Sequence, residues 1–191
     1  MQVTLKNEFT IAQPIEKVWA FLSDPHQVAP CLPGAELTEQ VDEKTFRGGV
    51  KMKLGPFTTQ FKGEVVIELL DPASHEIRMV GKGKDAKGTG SASMTISGKL
   101  NAMPDGGTQM QSQSDLVISG KLASFGSRMI EDVSKSMFNK FTESFSARIA
   151  GEGGPETADN AVKVTEIAGT VVKGMVGRMF GRGDEDEGSG S

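Results

Sequence analysis

Between residues 45 and 149 the apolar side chains change period once, from two to about four, and that change limits the possible folds more than any other feature. Five segments alternate first. Phe46, Gly48, Val50, Met52 and Leu54 share one face of 45–54, and Phe57, Thr59, Phe61, Gly63, Val65, Ile67 and Leu69 share one face of 57–70. Ile77 and Met79 alternate in 75–82, Ala92, Met94, Ile96 and Leu100 in 88–101, and Met110, Leu116 and Ile118 in 107–120. A period of two is that of a strand with one buried face. Gly55-Pro56 and Asp71-Pro72 are turn sequences, and Asp85-Ala86-Lys87-Gly88 reads with Gly81-Lys82-Gly83 as a hairpin loop. Connections this short join antiparallel neighbours, because a parallel crossover needs many more residues. Then Leu122, Phe125, Met129, Val133, Met137, Phe141, Phe145 and Ile149 follow at intervals of three and then four. The spacing predicts one helix of roughly seven to eight turns. Its stripe winds slowly, since four exceeds 3.6 residues per turn, and so suits an oblique crossing of a twisted sheet.

Ahead of these segments, Val3, Leu5, Phe9 and Ile11 mark a strand over 2–12. Pro14 fits the first turn of a helix, Ile15, Val18, Trp19 and Leu22 continue at helical spacing, and Ser23-Asp24-Pro25 ends it. A turn-rich piece closes at Pro30-Cys31-Leu32-Pro33-Gly34. The expected order is strand, helical piece, six strands, of which the five segments above are located, and long helix: an α+β domain whose curved, seven-stranded antiparallel sheet wraps on one long helix. Gly48, Gly49, Gly63, Gly90 and Gly98 inside strands favour curvature, as sharp bends or as simple bulges. A curved sheet closed by a single helix leaves a space that side chains need not fill. The apolar bulk rests on 10 Phe and 10 Met, with no Tyr. Methionine adapts to irregular shapes, which serves a ligand cavity and ordinary core gaps equally well.

No residue pattern asks to be catalytic. His26 and His75 have no partner at zinc-ligand spacing, and Cys31, the single cysteine, can form no internal disulfide and reads as a small buried residue. No nucleophile elbow, P-loop or dinucleotide fingerprint occurs, and the carboxylates are scattered. The net charge of −4 gives no footprint for nucleic acid. Lys82, Lys84 and Lys87 cluster on the expected hairpin loop, either as a solvated turn or as a docking surface for an acidic partner or anionic lipid. The first residues lack a basic stretch followed by an apolar run, so no signal peptide is expected and the chain reads as cytoplasmic.

After the domain expected over 1–150, residues 151–160 have the composition of a flexible linker. Residues 161–183 are amphipathic as a helix: Ala161, Val164, Ala168, Val171, Val172, Met175 and Met179 share a face, with Lys163, Glu166, Thr170 and Lys173 opposite and Arg178 at the edge. Such a helix is about 30 Å long. Spanning a bilayer would bury Lys173 near the centre at roughly 2.5–3.5 kcal/mol, whereas lying in the interface costs much less. Lys163, Lys173, Arg178 and Arg182 against the single acid Glu166 favour an anionic surface. A face docked on protein is the alternative. Residues 184–191 are expected to be a disordered acidic and Gly/Ser tail.

The segments PIEKVWAFLSDP (14–25), CLPGAEL (31–37), KMKLGPFTTQFKGEV (51–65) and ISGKLASFGSRMIEDVSKSMFNKF (118–141) resemble the CoxG family, which is linked to carbon monoxide dehydrogenase. The element order resembles the wider START/Bet v 1-like (SRPBCC) helix-grip fold. The resemblance covers about residues 1–150. It implies a partner, the molybdenum-containing carbon monoxide dehydrogenase, and a position on the inner face of the cell membrane. A helix-grip cavity beside a membrane-binding tail suggests the mechanism: a non-catalytic carrier, with no covalent cofactor, that extracts a respiratory quinone, menaquinone favoured over ubiquinone, and presents it to that enzyme. A recruitment or maturation adaptor without ligand is the second reading, and an enzyme on a small apolar substrate the third. On the carrier reading the cavity is lined by Met52, Phe57, Phe61, Met79 and Met94 of the sheet and by Met129, Val133, Met137 and Phe141 of the helix. The membrane contact falls to Val164, Ala168, Val171, Val172, Met175 and Met179 with Lys173 and Arg178.

Overall fold

The computed structural model describes residues 1–54 and 57–151, apart from the side chains of Leu54 and Phe57. The linker beyond Gly151, the amphipathic segment 161–183 with its membrane-contact residues, and the stretch 184–191 lie outside the described residues. In chain order the elements are β1 (Gln2–Ile11), α1 (Ile15–Leu22), α2 (Pro25–Val28), a 3-10 turn (Ala29–Cys31), β2 (Ala35–Gln40), β3 (Thr45–Leu54), β4 (Phe57–Asp71), β5 (Glu76–Asp85), β6 (Gly90–Ala102) and β7 (Thr108–Gly120). A second 3-10 turn (Lys121–Phe125) leads into α3 (Ser127–Ala150).

The seven strands form one antiparallel sheet in the order β1-β7-β6-β5-β4-β3-β2. Strands β2 to β7 follow one another as hairpins, as their short turns require. The exception is β1, which pairs with β7, so the α1–α2 segment carries the chain from one edge of the sheet to the other. Pro14 caps α1 with extended backbone, and Asp24 caps α2 by accepting from the His26 N–H at 2.9 Å.

Four expectations are corrected. β2, with the sequence AELTEQ, has no counterpart in the hydrophobic pattern because it is an edge strand whose side chains are mostly exposed. β5 runs on to Asp85, so Lys82 and Lys84 lie in a strand and only Lys87 in the turn. A bulge in β4 sets Ile67 against Met79 but Leu70 against Ile77, which turns Leu70 rather than Leu69 to the inner face. Lastly, the long helix starts at Ser127. The residues before it form the 3-10 turn, and Gly126 (φ 80°, ψ 156°) holds a backbone conformation open to glycine almost alone.

By register, the buried strand residues Val3, Ile11, Phe46, Ile67, Ile77, Leu100, Met110 and Ile118 all fall on one face. They do not make a single core. One cluster joins Ile11, Leu100 and Met110 to Val18 and Leu22 of α1, Cys31, and Phe141, Phe145 and Ile149 of α3. Phe145 is fully buried there, with the rings of Phe21, Phe141 and Phe9 at 4.9, 5.6 and 6.2 Å. Burying one such side chain is worth about 1.5–3 kcal/mol. A second cluster joins Val3 and Ile118 to Leu122 and Ile130 at the start of α3. Most of the contact between α3 and the sheet is with β1 and β3, an edge strand and the neighbour of the other edge.

Candidate functional site: the inner face of the sheet

Between the two clusters the inner wall is apolar and incompletely covered. Val65 lies on β4, flanked across the sheet by Phe46 and Gly81 and along the strand by Ile67. Phe46 and Ile67 are 4% and 7% exposed, yet Val65 is 38% exposed. Leu70, also on the inner face, is 39% exposed. An aliphatic side chain in the interior of a sheet, on its packed face, is ordinarily covered. Val65 and Leu70 thus leave part of the apolar inner face uncovered by other described side chains.

The residues expected to line a cavity lie on β3, β4, β5, β6 and α3. Met79 and Met94 sit on the adjacent strands β5 and β6, partly buried and in neither cluster. Met129 and Met137 of α3 are likewise partly buried and belong to neither. Met52, Phe61 and Val133 are partly buried against the second cluster. Phe141 is 9% exposed and packs within the first cluster, 5.6 Å from the Phe145 ring. The Phe57 side chain lies outside the described residues.

Two polar features of the inner face were not legible in the sequence. The first is Asp85, 5% exposed. It accepts from Thr59 Oγ1 at 2.5 Å, from Thr89 Oγ1 at 2.5 Å and from the Thr89 N–H at 3.2 Å. The Thr59 hydroxyl first, and then the Thr89 hydroxyl, lower its pKa from 3.8 to about 2. Asp85 therefore ties β4 to the β5–β6 turn as a saturated carboxylate. The second feature is a polar break on strands β1 and β7. Asn7 pairs with Ser112, and Ser114 with Leu5, all turned to the inner face and partly buried.

The remaining chemistry-bearing residues lie apart from one another. His26 meets Gln40 at 3.2 Å, while the His75 ring packs edge-on against Trp19 at 5.4 Å. Cys31 is 2% exposed, and burial pushes its thiol up against the opposing pull of Arg148 and Ser144. On the outer face a groove of about 1020 Å³ crosses the sheet, with Lys62, Lys82 and Lys84 beside Glu36, Glu64 and Arg47. Lys62 stands directly opposite Lys84 in the ladder. Among the described residues, no helix is long and apolar enough to cross a membrane.

Residues 8–150 match the family model of CoxG, described as a carbon monoxide dehydrogenase subunit. No curated protein matches the sequence. Among solved structures the chain is similar to a conserved protein from Geobacillus kaustophilus, at 20% identity and a TM-score of 0.71, over 78% of this chain and 96% of that one. It is also similar to the Zhui aromatase/cyclase from Streptomyces sp. R1128 (16% identity, TM-score 0.56, 80% and 99% covered). A START superfamily protein from Mycobacterium smegmatis aligns at 12% identity and a TM-score of 0.54, with 78% and 97% covered. At these identities the likeness establishes the helix-grip fold alone.

Proposed function

The chain belongs to the CoxG family of carbon monoxide dehydrogenase subunits, and from that premise we propose that it is a non-catalytic carrier of a respiratory quinone for carbon monoxide dehydrogenase. Menaquinone is the favoured ligand. The carrier would take the quinone from the membrane, shield its isoprenoid chain between sheet and helix, and present the ring to the enzyme. The observation that carries this reading is the exposed Val65 between buried Phe46 and Ile67: an apolar wall without a protein partner is what a lipid chain covers. Burial yields about 25 cal/mol per Å² of apolar area, so a long chain gains affinity with few polar contacts.

Asp85, the buried carboxylate of the inner face, is not suited to act as a general acid. A general acid needs a pKa near the working pH, whereas this carboxylate is held at about 2 with its oxygens engaged. Residues 161–183, net positive in an acidic chain, would supply a peripheral hold on an anionic membrane.

Mass spectrometry of organic extracts from gently purified protein tests the proposal. A quinone in the extract is the expected result and names the ligand. Clean extracts, together with no uptake from quinone-loaded liposomes, would replace the carrier by a recruitment adaptor.

A further inference from the structure

Most of the inner face of the sheet is hydrocarbon or glycine, and the break on β1 and β7 is an exception. Asn7 and Ser112 are direct cross-strand partners, and Ser114 lies two residues along β7 on the same face. All three are partly buried, and no side-chain hydrogen bond ties any of them to another described residue. Their surroundings on the sheet are Leu5, Phe9, Met110, Leu116, Ile96 and Gly98, none of them charged. Polar groups in such a wall that keep part of their surface in water can exchange that water for a ligand atom, and an apolar ligand without one would leave them unpaired at a cost.

Their position is fixed by the packing at either side. Val3 packs with Ile130 in the second cluster, and Phe9 meets the Phe138 ring at 5.6 Å near the first. The polar group therefore lies beneath the intervening stretch of α3, which carries Val133 and Met137. The apolar wall of Met79, Met94 and Val65 continues from it across the sheet.

We propose that Asn7, Ser112 and Ser114 form a neutral hydrogen-bonding subsite that receives an acceptor oxygen of an uncharged head group, such as a ring carbonyl. This rests on the carrier reading and deepens it. The Asn7 amide and the two hydroxyls are donors without charge. A phosphate or carboxylate would call for a cation, and no sheet residue around the group supplies one. A carbonyl oxygen takes one or two such donors, while its lipid chain covers the apolar wall.

The test compares two probes on the full chain: a menaquinone with a short isoprenoid tail, and the same tail on a naphthalene ring that lacks the carbonyl oxygens. Asn7→Leu and the double variant Ser112→Ala/Ser114→Ala approach the site from different strands. Each is expected to weaken quinone binding about five- to tenfold, the size of one or two net hydrogen bonds, and to leave the naphthalene probe unchanged. The carbonyl stretch of isotope-labelled quinone, lowered on binding to the wild type, should return towards its free value in both variants. Unaltered quinone affinity in the variants, parallel loss of both probes, or equal wild-type affinity for the two would overturn the subsite. A wild-type chain that takes up neither probe would bring down the carrier reading and the subsite with it.

Discussion

Among the described residues, Asp85 carries the clearest pH signature. Its folded-state pKa of about 2 lies below the ordinary 3.8, so the contribution is fully present above about pH 4 and is lost as pH falls through 2. Acid unfolding followed by circular dichroism should show this as a loss of stability between those values. Asp85→Asn should lower the thermal midpoint at neutral pH and flatten that limb of the curve. A variant that melts like the wild type at pH 7 would mean that the Thr59 and Thr89 contacts do not hold the β5–β6 turn. Lys62 and Lys84 offer a second test at this scale. Like charges directly opposite in a ladder repel, whereas an opposite pair contributes roughly 0.2–1 kcal/mol. Lys84→Glu is therefore expected to stabilise the fold by about that amount, in a salt-sensitive way, as read from denaturant midpoints.

The joint between sheet and long helix depends on two glycines in similar backbone conformations, Gly120 (φ 73°, ψ −155°) and Gly126 (φ 80°, ψ 156°). An alanine at either is strained by about 1–3 kcal/mol. Steric surroundings separate them. A Cβ at Gly120 would stand 2.5 Å from Thr89 O and 2.7 Å from Gly90 Cα, while at Gly126 nothing lies within 4 Å. Gly120→Ala should thus destabilise clearly more than Gly126→Ala in urea unfolding, and equal effects would contradict the close approach of β6 and β7 at this joint. Along α3 the two kinds of position should also separate. Phe145→Ala empties the packed cluster at a cost of about 3–5 kcal/mol. Met137→Trp, at a partly buried position outside both clusters, should block quinone uptake while shifting the melting temperature little.

At the scale of the whole molecule, two clusters pack the inner face of the sheet, while Val65 and Leu70 of the same face stay exposed, which on the carrier reading is the surface a ligand covers. The proposed membrane hold predicts that the full chain co-sediments with vesicles rich in anionic lipid and is released by salt, whereas a chain ending at Gly151 stays in solution. Equal sedimentation of both would move the contact to residues 1–151. Much of this architecture was legible in the sequence, because burial of one face imprints a period of two on strands such as 45–54 and of about four on the helix from Met129 to Ile149. β2 escaped because an exposed edge strand has no buried face to imprint, and Leu70 was misplaced because one bulge reverses every later side chain. The sequence alone determined the strand-rich order, the closing helix and an apolar interior. Only the tertiary structure decided which polar groups share that interior. Thr59 meets Asp85 and Asn7 meets Ser112 through sheet register, and register is set by pairing between segments distant in the chain, which leaves no local period to read.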